Sequence, residues 1–564
     1  MANKAKMAHY EEAVKHFSRA IELSPGFAMP YIYRGEVYHK MGKFEEAITD
    51  FTDAIFWTRQ PARAYFGRGM AHGANGDIDK AIEDFTKTIQ HDPDYAEAHY
   101  HRGNSYVIKD EFDNAIEDCD KAIQLNPDLT DAYLVRGNAY SRIGQVDFAI
   151  RDYSKAIRLT PDYVNAYIAR GNAYNNIGEF DLAITNYTKA LELNPNCVEG
   201  YVIRGNVFFL KGEIEAAIAD CNKVIELRPN VAVHYITRAT VNCFMGEFDA
   251  SIKDCERAIE LNPKAADAYL IRGIAYDNKG EFDLVIANCT EAIKLRPNYS
   301  DAYYERGNAY NSKSEFYKAI ADYTKVIKLN PYHVESYINR GIAYSKKRNF
   351  DQAIADHNTV IQLQPDHISS YINRGFTLAS KGDFLNAIAD FTCAIQINPL
   401  IVELYYNRGK VYYSEGNFEM AITDFNTAIQ LNPGFARAYF VRAKVWLHQK
   451  AWTKARIDLT NAENKGLNII NAFHNDYKSL EDFEEQIGMK LPDDITSMLI
   501  QQEENPQPEP IEETPFHHLS KINLHSLEVI SEEQMLQKER TQDQTTPSIP
   551  SQPSRKIEHR LFAQ

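Results

Sequence analysis

Thirteen arginines recur at a fixed step of thirty-four residues, from Arg34 through Arg68, Arg102, Arg136, Arg170, Arg204, Arg238, Arg272, Arg306, Arg340, Arg374 and Arg408 to Arg442. Such a row could bind a polyanion, or each guanidinium could neutralise a fixed partner inside the fold. The second chemistry has its counter-charge at hand. Sixteen residues beyond each arginine stands an aspartate, as in Arg136/Asp152, Arg204/Asp220 and Arg374/Asp390; Asn186 and Asn288 are the two departures. An unpaired charge in a packed interior is costly, so the matched columns predict one structural ion pair per repeat. The net charge of −16 also argues against nucleic acid as a partner, because its backbone calls for clustered excess Lys and Arg.

A second column carries amides. With each unit numbered so that the first runs from 28 to 61, the arginine is position 7 and the aspartate position 23. Position 9 holds Asn104, Asn138, Asn172 and Asn206 in four successive units, and later Asn308; position 6 holds Asn339, Asn373 and Asn407. A carboxamide donates and accepts. An even row of them can pair with the backbone of an extended peptide whatever its side chains. The plainer alternative is a polar, exposed helix face, and composition does not separate the two. Acids recur at position 2 (Glu97, Asp131, Glu199, Asp267, Asp301, Glu335, Glu403) and would make one edge of such a face negative. Phe209, Phe244, Phe376 and Tyr413 are candidate pockets for anchoring side chains.

The seven cysteines include no CxxC pair, which argues against a disulfide framework and for a reducing compartment. Cys119, Cys221, Cys255 and Cys289 all fall at position 24, where other units carry Phe or Tyr; small buried apolar residues are expected there, not a metal site. No P-loop, GxSxG, HExxH or kinase signature is present, and GRGMAHG at 67–73 is repeat glycine. The expectation is a non-enzyme without cofactor or metal.

These columns demand helices. Positions 4, 7, 8 and 11 share one helical stripe, and positions 20, 24 and 27 a second. Glycine at position 15 separates the stripes, and proline at position 32 ends the second. Each unit therefore reads as two antiparallel helices of about thirteen residues, marginal alone in water and held by stacking on their neighbours.

The unit YxxRGxxYxxxGxFxxAIxDFxxAIxLNP, as in YLVRGNAYSRIGQVDFAIRDYSKAIRLTP at 133–161, resembles the tetratricopeptide repeat (TPR), in its variety with Arg-Gly in the first helix. The resemblance implies an all-α, right-handed superhelical solenoid. Its concave groove, lined by positions 2, 5, 6, 9, 12 and 13, would bind other proteins, most simply as extended peptide segments. Repeats of this family that clamp a C-terminal carboxylate carry lysine at position 5. Here that position is apolar or aromatic (Ile168, Val202, Ile236), which argues against such a clamp.

The expected organisation is a partial repeat at 1–27, thirteen units at 28–469, capping helices at 470–502 and a disordered tail at 503–564. The tail carries Pro506, Pro508 and Pro510 and eleven acids against six bases. Val14, Phe17 and Ile21 would form an open apolar face at the N-terminal end, a route to self-association. The N-terminal stretch has no apolar signal core and no run is long enough to span a membrane, so a cytoplasmic scaffold or adaptor is the expectation. A regulatory or substrate-recruiting subunit of an enzyme complex is the alternative.

Overall fold

A computed structural model describes residues 2–500, with side chains from Lys6 onward; the expected tail at 503–564 lies outside the described residues. These form thirty helices and no strand, and 79% of the described residues are helical. They divide into two compact units, residues 2–247 and residues 248–500. Within each, helices follow one another as antiparallel pairs. The repeat at 232–265 is shared, its first helix Ala232–Phe244 in the first unit and its second helix Phe248–Leu261 in the other.

The pair Thr130–Arg142 and Val146–Leu159 shows how the sequence builds one repeat. Gly144 reverses the chain at φ +80, a conformation that glycine adopts without a Cβ penalty. Asp110, Ser314, Arg348 and Lys450 take the same left-handed turn at φ 59 to 61 without being glycine. Helix packing on both sides holds them there at a cost of order 1 kcal/mol each. Glycine at position 8 is required for a different reason. A Cβ on Gly137 would lie 2.6 Å from the Tyr153 ring, and one on Gly171 2.5 Å from that of Tyr187. The first helix can therefore approach the second only where the side chain is missing. In the last repeat position 8 is Ala443, and position 24 is the smaller Leu459.

The arginine column faces the interior of the helix pair. Arg136 donates from Nε and Nη2 to the two carboxylate oxygens of Asp152, both at 2.7 Å. Arg204 meets Asp220 at 2.9 and 2.7 Å, and Arg374 meets Asp390 at 2.8 and 2.6 Å. The remaining Nη1 crosses to position 25 of the preceding repeat: Asp120 for Arg136, Thr188 for Arg204, Asn358 for Arg374. Where a tyrosine stands three residues before it, the guanidinium also lies near that ring, as Arg136 does 5.6 Å from the Tyr133 ring centre, and Tyr133 donates to the carbonyl of Pro127 in the repeat before. One arginine thus closes its own hairpin and staples it to its neighbour. Where asparagine replaces the acid, Arg170 makes a single 2.8 Å bond to Asn186 Oδ1, and the amide turns its own donor to Leu182 O.

The ends differ from the middle. Val14, Phe17 and Ile21 lie on the helix Ala2–Leu23 and are half-buried; Phe17 stacks on Tyr33 at 5.7 Å, so this face rests on the next helix. At the other end three short helices, Ile469–Asp476, Leu480–Ile487 and Asp493–Leu499, bury Phe473, Phe483, Ile495 and Leu499 against the last two repeats.

Candidate peptide-binding groove

In the first unit the amide column rises through four consecutive first helices, Ala96–Ile108, Thr130–Arg142, Val164–Asn176 and Val198–Leu210. Asn104, Asn138, Asn172 and Asn206 are each half-buried there. Two of them are oriented from below. The buried Tyr153 phenol donates to Asn138 Oδ1 at 2.9 Å and the buried Tyr187 phenol to Asn172 Oδ1 at 2.8 Å. With its oxygen engaged, each carboxamide keeps its two N–H donors for another partner. Burial raises both tyrosine hydroxyls well above their ordinary range, so they remain donors. Under Asn104 and Asn206 position 24 is Cys119 or Cys221, too short to make the same bond.

In the second unit Asn308 and Asn339 are engaged with one another. Tyr323 donates to Asn308 Oδ1 at 2.9 Å, and Asn339 Nδ2 donates to that same oxygen at 3.1 Å and to Tyr304 Oη at 3.3 Å. Asn373 is half-buried, and Asn407 is only 9% exposed. The open amide row is that of the first unit.

The other groove candidates are partly consumed by the fold. Phe209 is 5% exposed and packs edge-on to Phe244 at 5.1 Å; Phe376 packs likewise on Phe391 at 5.2 Å. Tyr413 meets the Tyr477 hydroxyl of the C-terminal helices at 3.1 Å. Of the position 2 acids, Asp131 accepts from Tyr163, and Asp267 from Arg296 and Tyr299. The negative edge is therefore discontinuous. Position 25, which receives the cross-repeat arm of each arginine, went unread in the sequence. Its signal was the run Thr52, Thr86, Asp120, Ser154, Thr188 and Asn222, every one able to accept a hydrogen bond.

Cys119 and Cys289 are fully buried, and burial pushes their thiols up. Among the described residues no three His, Cys, Asp or Glu side chains converge as a metal site would.

Helix pairs stapled in series, with polar groups presented along successive first helices, define a repeat scaffold for protein interaction. The chain belongs to the tetratricopeptide repeat family. Tetratricopeptide repeat models match residues 31–60, 62–95, 96–129, 164–197, 198–231, 243–284, 300–333, 334–367 and 402–435, and a TPR repeat model matches 137–178. Comparison with curated proteins finds no match. Among solved structures, the anaphase-promoting complex (APC/C) hetero-tetramer Cut9–Hcn1 is 16% identical, covering 81% of this chain and 96% of that one at a TM-score of 0.34. Yeast Tom70 is 16% identical, over 69% and 96%, at 0.35. MamA is 32% identical, over 28% and 94%, at 0.27. At these TM-scores the likenesses add nothing to the family assignment. Among the described residues no helix is long and apolar enough to cross a membrane.

Proposed function

We propose that residues 2–247 hold an extended peptide segment of a protein partner along their first helices, with Asn104, Asn138, Asn172 and Asn206 as its backbone contacts. The observation that carries this reading is the pair of bonds from Tyr153 to Asn138 and from Tyr187 to Asn172. They fix the amide oxygens inward and leave the N–H groups for the carbonyl oxygens of a bound chain. Packed helices lie roughly 10 Å apart and an extended chain advances about 3.3 Å per residue, so one amide meets roughly every third residue. Main-chain contacts of this kind give affinity with little demand on side chains, which suits a scaffold.

The test is capture of partners by the wild-type chain and by the Asn104/Asn138/Asn172/Asn206→Ala variant. A matched variant of four exposed second-helix residues serves as control. Loss of partners from the first variant alone is the expected result. An unchanged set removes the amide row from the binding site.

A further inference from the structure

The last two repeats depart from the rest in the charge at position 9, where Lys410 and Lys444 stand. Lys444 is 7% exposed. Its ammonium pairs with Asp476 of the helix Ile469–Asp476 and lies 5.5 to 5.6 Å from the ring centres of Tyr413, Phe440 and Tyr477. Lys410 is half-buried beside the Tyr406 ring at 5.6 Å, and it forms no ion pair or hydrogen bond with any described residue. The charges that act on it are Lys444 and Arg437, which oppose its own, and Asp476, which favours it. Burial, and then the neighbouring cations, bring its amine down to about 8. An aromatic face offsets part of such a deficit, but one carboxylate among three cations leaves Lys410 short of a counter-charge.

We propose that this end of the second unit takes an acidic side chain from a partner's peptide segment, whose carboxylate supplies the counter-charge that Lys410 lacks. With Lys444 paired to Asp476, the group at issue is the one charge of Lys410 itself. It is presented by a lone ammonium on a flexible stem, without the planar fork or helix N-terminus that suits a phosphate dianion. Partial burial beside the Tyr406 ring lowers the local dielectric, which strengthens a charge-assisted hydrogen bond. The arrangement is unlike a position 5 lysine clamp, because position 5 here holds Tyr406 and Phe440. It is also independent of the amide row in residues 2–247.

The experiment is fluorescence anisotropy of the full chain with a short labelled poly-glutamate peptide, beside poly-glutamine and poly-lysine peptides of equal length. Poly-glutamate is expected to bind, more weakly as salt rises, and the other two are not. Lys410→Met should weaken binding about tenfold, while the exposed Lys328→Met leaves it unchanged. Because Lys410→Met removes an unpaired buried charge, its melting temperature should hold or rise, which separates lost binding from lost fold. Should that variant fail to fold, the wild-type chain decides: bound poly-glutamate must slow acetylation of Lys410. Equal binding of poly-glutamine, indifference to Lys410→Met, unslowed acetylation, or competition by inorganic phosphate as strong as by the peptide would each overturn the proposal.

Discussion

The phenol of Tyr187 donates to the side-chain oxygen of Asn172 at 2.8 Å, from a ring that is itself fully buried against Gly171. A residue of the core thereby aims a residue of the surface. Removing the hydroxyl in Tyr187→Phe keeps the ring and frees the amide. The expected cost is about 1 kcal/mol. In a double-mutant cycle with Asn172→Ala, read by urea unfolding, a coupling of similar size is expected. Strict additivity would mean that the hydroxyl does not act through Asn172.

The bidentate pair of Arg204 with Asp220, completed by Thr188, is buried enough that breaking it leaves a charge stranded. Arg204→Leu should destabilise the chain by about 3–5 kcal/mol. The double variant Arg204→Leu/Asp220→Tyr should cost clearly less than the sum of its parts. Thr188→Ala alone should cost about 1 kcal/mol and weaken the junction between repeats, not the hairpin, so hydrogen exchange should rise on both sides of that junction.

His357 stands where other repeats place Phe or Tyr, fully buried, with neither ring nitrogen hydrogen-bonded. Burial, followed by the charges of Arg374 and His367, lowers its pKa to about 3. The folded state thus holds it neutral, while the unfolded chain takes up a proton below about pH 6.5. Stability should therefore be fully present above about pH 6.5 and decline as pH falls toward 3, by at most about 1.4 kcal/mol per pH unit from this residue. His101, lowered to about 4 by burial, acts in the same direction. The His357→Phe variant should lose part of that slope, so the stability difference between variant and wild type should widen as pH falls below about 6.5. Identical slopes would place a proton on His357 in the folded state.

Arg348 holds a left-handed turn at φ +61 where most repeats have glycine. Arg348→Gly should relieve about 1 kcal/mol of backbone strain. Gly144→Arg, the converse change, should cost a similar amount. Thermal unfolding of the two variants checks the sign.

The repeat, its helix pairing and the Arg–Asp columns were legible because the arginine is written thirteen times and its aspartate eleven, and the period separates them from chance. What was not legible depends on side-chain reach between repeats. The cross-repeat arm of Arg136 to Asp120 needs the superposition of two hairpins, which a column of interchangeable Thr, Ser, Asn and Asp does not announce. The amide row was visible as residue types, but not the difference between Asn172, aimed by Tyr187, and Asn308, engaged by Asn339. That difference lies in what occupies position 24 beneath and position 6 beside each amide. Phe209 and Tyr413 sat on the expected groove stripe, yet the fold spends them on Phe244 and Tyr477.

The most direct test places a photo-crosslinking amino acid at Asn176, exposed on the first-helix side of its repeat, and separately at Arg151, exposed on a second helix. Each chain is then irradiated with a partner that co-purifies with the wild-type protein. Cross-links from Asn176 into one contiguous stretch of the partner, with none from Arg151, are expected. Cross-links from Arg151 and none from Asn176 would contradict a peptide lying along the amide row.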